Sequence, residues 1–138
     1  MITFCLNAQQ DKENTVGMED FEWHYRVLLV FAREPHMSNA LANLEEIEPE
    51  ISERDIVWFV LGVNQLHTNY NEKLSDEVRK QIIDRYFSPL PAETVVLLIG
   101  KDGTLKSRSS DLDLEAMFGL IDQMPMRRAE MRQKSKDN

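Results

Sequence analysis

Three uninterrupted apolar runs mark the chain: Val27–Phe31, Ile56–Leu61 and Val95–Ile99. Each is rich in strand-forming residues and too short for a core helix, so each reads as a strand buried on both faces. After the first run, Met37, Ala40, Leu41, Leu44 and Ile47 recur at three- and four-residue spacing. That spacing predicts a helix capped by Ser38 and ended by Pro49, with Asn43, Glu45 and Glu46 on its other face. Residues 63–73 hold Asn64, Asn69 and Asn71 without a period and read as a loop. A second helix starts at Ser75, with Asp76 and Glu77 in its first turn. Val78, Ile82, Ile83, Tyr86 and Phe87 form its stripe, and Pro89 and Pro91 bound it. The third run leads through Gly100-Lys101-Asp102-Gly103 into Thr104–Arg108, a hairpin signal. Only Leu105 is apolar in this fourth strand, which suits a sheet edge. Asp113 then caps a third helix whose stripe is Leu114, Met117, Phe118, Ile121 and Met124, interrupted at Pro125.

The order strand, helix, strand, helix, strand, strand, helix predicts an α/β fold. With right-handed crossovers, one arrangement is a four-stranded mixed sheet of thioredoxin-like type flanked by helices, parallel in its first half and closed by the hairpin. Residues 23–125 form this domain. Residues 1–22 read as a flexible lead-in, acid-rich and without periodicity, and residues 126–138 as a basic tail, helical or frayed. Met1–Gln9 looks like the apolar end of a secretory signal with Ala8 before a cleavage point, but lacks a basic leader; an ordinary disordered N-terminus is the alternative.

Composition narrows the roles. The 138 residues include 16 basic and 24 acidic side chains, for a net charge of -8. A chain of this length builds one buried core. No run approaches the roughly 20 apolar residues of a membrane span, and the acidic balance excludes a general nucleic-acid binder. The single cysteine, Cys5, excludes an intrachain disulfide, a CxxC pair and an all-cysteine metal site. His24, His36 and His67 are scattered, so neither metal nor cofactor is expected.

Several segments carry a family resemblance: Phe21-Glu22-Trp23, Arg26-Val27-Leu28-Leu29-Val30-Phe31-Ala32, Glu53-Arg54-Asp55, Leu98-Ile99-Gly100-Lys101-Asp102-Gly103, and 121–131 with its Met-Pro-Met-Arg-Arg core. Across Phe21–Arg132 the chain resembles a domain family of unknown function with a thioredoxin-like fold. That family is found in bacterial proteins, often exported, and in animal sushi-repeat-containing and related extracellular matrix proteins. The resemblance implies the fold and, with the N-terminal segment, a periplasmic or secreted location, while a cytoplasmic one stays open. It implies no activity.

Redox-active thioredoxin relatives place a thiolate after the first strand, at a helix start that lowers its pKa. Here that stretch is Arg33-Glu34-Pro35-His36-Met37-Ser38, without cysteine. Their cis-proline just before the third strand is also missing, since Pro91 comes too early. No catalytic residue is therefore assigned, and an oxidoreductase or other enzyme on this fold is the alternative. Ser38 beside His36 has the makings of a nucleophile pair, but a capping role explains the serine. Arg33 and Ser38 at this helix start are candidates for holding an anion. Lys101, Lys106 and Arg108 on the hairpin, with Arg127 and Arg128 interleaved by Met124, Met126 and Met131, are candidates for a basic, adaptable patch. The expected function is a non-catalytic module that binds another protein through Lys101, Arg108, Met126, Arg127 and Arg128; its oligomeric state is left open.

Overall fold

In the computed structural model, which describes residues 17–137, the apolar runs become the centre of a five-stranded sheet. The strands are β1 (Arg26–Phe31), β2 (Ile56–Leu61), β3 (Leu66–Thr68), β4 (Val95–Ile99) and β5 (Leu105–Ser109), in the order β3-β2-β1-β4-β5. β1 and β2 run parallel, with Arg26 beside Ile56 and Phe31 beside Leu61. β4 is antiparallel to β1, and β5 and β3 are antiparallel to β4 and β2. The helices are α1 (His36–Glu46), α2 (Glu48–Glu53), α3 (Val78–Tyr86), α4 (Leu114–Asp122) and α5 (Pro125–Asp137).

Alternation along the strands makes two cores. Leu28, Val30, Trp58, Val60, Val96 and Leu98 face α1, α2 and α4; Val27, Leu29, Phe31, Phe59, Leu61 and Leu97 face α3. Both faces are covered, which is why these strands carry no polar alternation.

The sheet has five strands where four were expected. The fifth, β3, lies in the stretch read as a loop; it is Leu66-His67-Thr68, three residues long and too short to show a period. Asn69 continues its role below it: its Oδ1 accepts from the Trp58 N–H at 2.8 Å and its Nδ2 donates to the Ile56 carbonyl at 3.1 Å. A side-chain amide thus stands in for a neighbouring strand.

Pro49 does not end the helical stretch. α1 closes at Glu46, and Pro49 sits in the first turn of α2, where its missing N–H costs nothing. Nor does Ser38 cap α1, which begins at His36. Asp113 does cap α4, accepting from the Ala116 N–H at 3.1 Å. The hairpin turn closes with the Gly103 N–H on the Gly100 carbonyl at 3.0 Å, and Gly103 takes φ +81°, a value that glycine adopts without strain.

At the N-terminal end, Gly17–Glu22 belongs to the fold rather than to a lead-in. Met18–Phe21 is a single 3-10 turn that delivers Phe21 into the α3-side core. There its ring meets Tyr70 edge-on at 5.0 Å and Phe59 at 5.8 Å. One aromatic among acidic neighbours gives no periodic signal, although it is buried completely. The signal-like segment and Cys5 lie outside the described residues. No helix among the described residues is long and apolar enough to cross a membrane.

Candidate functional site

The strand order reverses between β2 and β4, on either side of β1. In open α/β sheets such a switch point leaves a crevice at the carboxyl ends of the strands. Here a cleft of about 530 Å³ lies at the carboxyl ends of β1 and β5 and the amino end of β4, between the outer face of α1, the loop before β4 and the loop after β5. Its polar lining is His36, Asn39 and Asn43 from successive turns of α1, Glu93 and Thr94, and Asp111. It runs through Ser110 and Glu93 into a shallower depression beside Arg108. Through Asp111 and Leu112 it runs into a third cleft of about 390 Å³ between β5 and α4. Together they form a trough that is polar at one end and floored at the other by Val96, Leu98, Met117 and Leu120.

The segment that would hold a thiolate in a redox relative forms one end of this region. Glu34 turns back onto α1 and accepts from the Ser38 N–H at 2.9 Å and from the Ser38 hydroxyl at 2.6 and 2.8 Å. These bonds, hydroxyl before N–H, hold the Glu34 carboxyl below its ordinary value. Ser38 is therefore a donor to a carboxylate, not a partner of His36. An external anion at this helix start meets a carboxylate already in place. Arg33 points elsewhere, donating to the Pro91 and Ala92 carbonyls at 2.5 and 2.9 Å, and so braces the wall of the cleft. The residue just before β4 is Thr94; the cis peptide bonds among the described residues are Glu34–Pro35 and Ser88–Pro89. Among the described residues no three His, Cys, Asp or Glu side chains are grouped to hold a metal ion.

The basic residues separate. Lys101 and Arg127 lie at the opposite end of the sheet, nearly buried, within an ion-pair network. Glu130 of α5 accepts from both terminal nitrogens of the fully buried Arg26 at 3.2 Å and from Lys101 Nζ at 2.7 Å. Lys101 also holds Asp55 at 2.9 Å. Asp122 accepts from Arg127 Nε and Arg54 Nη2, both at 2.9 Å, and the Arg54 guanidinium lies 4.3 Å over the Phe118 ring. Burial pushes the Glu130 carboxyl up, but the bonds from Lys101 and Arg26 outweigh it and the net shift is downward. The Arg54 hydrogen bond leads the lowering of Asp122. Lys101, just after β4, thus fastens α5 to the sheet, Arg127 fastens it to α4 and α2, and their charges are spent there. Met126 and Arg128 are exposed on α5 at that same end. Arg108, across from Leu97 in the upper half of β5, is exposed beside the trough instead.

Sequence reasoning missed Asn39, Glu93, Thr94 and Asp111, and placed Asn43 only on the polar side of its helix. Asn39 and Asn43, four residues apart on the helix that follows the first strand, were the available signal. The loop residues had none, because their approach to α1 depends on β4 pairing with β1.

A family model described as a domain of unknown function (DUF4174) matches residues 17–130. Among solved structures, the chain is similar to a reduced 2-Cys peroxiredoxin of Plasmodium vivax, with TM-score 0.53 and 18% identity over 76% of this chain and 80% of that one. It is likewise similar to thioredoxin peroxidase I of Plasmodium yoelii, with TM-score 0.52 and 22% identity over 76% of this chain and 75% of that one. Identities this low speak for the fold alone, and that fold is thioredoxin-like. No curated protein matches the sequence.

Proposed function

The chain belongs to the DUF4174 family, and we propose from its own geometry that it is a non-catalytic thioredoxin-fold module that binds a segment of another protein in the trough between α1, the loop before β4 and the loop after β5. The observation that carries this reading is what replaces the redox machinery. Where a thiolate would stand, Glu34 is bonded to Ser38, and beside it opens an elongated, exposed trough lined by amides, hydroxyls and carboxylates. Asn39 and Asn43 each supply donors and an acceptor, the complement of a peptide backbone. The apolar floor between β5 and α4 adds room for side chains.

Panning a random peptide library displayed on phage tests the reading, with wild-type protein beside Asn39→Leu/Asn43→Leu. Peptides enriched on the wild type and released by the variant support it. Enrichment equal on both places binding elsewhere and overturns it. Reduction of insulin disulfides that is lost in Cys5→Ser would overturn the non-catalytic part.

A further inference from the structure

We propose that β5 is a docking edge, and that the partner segment adds to it as an extended strand alternating apolar and acidic residues. This rests on the protein-binding reading above and specifies its chemistry. Among the described residues β5 is the last strand of the sheet, so alternate N–H and C=O groups along it point away from β4 with no described strand beyond them. Its two faces ask for different side chains. Toward α4 it presents only Ser107 and Ser109, across from Leu98 and Val96. Their small size leaves the groove over Val96, Leu98 and Met117 open and Leu120 39% exposed. A strand laid about 4.8 Å outside β5 would drop every second side chain over that groove, where apolar groups fit. The other face carries Arg108, exposed and without an ion pair among the described residues. Lys106 already holds Asp102 at 2.9 Å, so Arg108 is the free charge of this edge. An acidic residue on the partner's upper face completes it. A second copy of this chain fits poorly, because antiparallel pairing of two β5 strands would crowd their Lys106 and Arg108 side chains.

The probe is a fluorescein-labelled peptide alternating glutamate and valine, titrated against the full chain and followed by anisotropy. Saturable binding is expected, weakened about tenfold or more by Arg108→Glu through loss of charge complementarity. A peptide with lysine in place of glutamate is expected to prefer the Arg108→Glu variant. Methylating alternate peptide amides on the bonding edge is expected to abolish binding, because strand addition depends on main-chain bonds. Absence of saturable binding, or binding indifferent to N-methylation, overturns strand addition. A dimer in solution that excludes the peptide also overturns it. If phage-selected peptides still depend on Asn39 and Asn43 in those cases, the broader protein-binding reading stands and only the β5 mode is lost.

Discussion

Replacing Glu130 with glutamine should cost about 3 kcal/mol of folding stability, near the lower end of what breaking a buried ion pair costs. The carboxylate answers two cations at once, Arg26 and Lys101. Lys101 keeps Asp55, but Arg26, 1% exposed, would keep as full-strength partners only the Arg54 carbonyl at 2.8 Å and one neutral amide oxygen in place of two carboxylate oxygens, and its Nε has no partner among the described residues. A buried guanidinium facing a neutral amide is the main penalty. Glu130 is 25% exposed, so water reaches the gap and holds the cost below that of a sealed pair. With a urea slope of about 2 kcal/mol/M, the midpoint should fall by about 1.5 M. Fluorescence of Trp58, 4% exposed, reports the transition. Exchanging both partners, Arg26→Met with Glu130→Met, should recover most of the loss, because two apolar side chains leave no buried charge between them. A loss below about 1 kcal/mol in the single variant, the range of exposed pairs, would refute the claim that this network anchors α5.

The same carboxylates set the acid limit. Glu130 and Asp122 titrate lower in the folded than in the unfolded chain, so between the two values the unfolded state holds more protons. Their contribution is complete above the ordinary glutamate value of 4.5 and is lost as pH falls through the lowered folded values. Urea midpoints measured from neutral pH downward should therefore fall, and Glu130→Gln/Asp122→Asn should flatten the fall. Phe21→Ala should cost about 3 kcal/mol or more, as removal of a buried aromatic does, whereas a mere lead-in residue would cost nothing; chemical denaturation separates the two. Asp113→Ala should cost about 1 kcal/mol through loss of the α4 cap. Ser38→Ala, exposed and not a cap, should stay within about 0.5 kcal/mol by thermal melting.

The Arg127 and Lys101 assignments show where reading residues one by one stops. On the chain, Met-Pro-Met-Arg-Arg and the hairpin lysine look like free charge on surface segments. In the fold, β1 starts, β4 ends and α5 passes at one place, so these cations meet Glu130 and Asp122 and become buried fasteners. Arg108 has the same local character, yet it lies at the other end of its strand, beside the trough. Nothing local distinguishes these cations; the difference is which end of the sheet each one lies against.

What the sequence determined by itself is what rests on local chemistry: three doubly buried strands from uninterrupted apolar runs, the glycine hairpin, the Asp113 cap and the absence of a thiol where redox relatives need one. Tertiary structure decided the rest. It placed β3 and Asn69 on the edge of β2, drew Phe21 into the core, turned Glu34 onto Ser38 and assembled the trough from α1 and two distant loops. Each of those features is a contact between residues far apart in the chain, and such contacts leave no period or spacing in sequence because they exist only once β1 has chosen its neighbours.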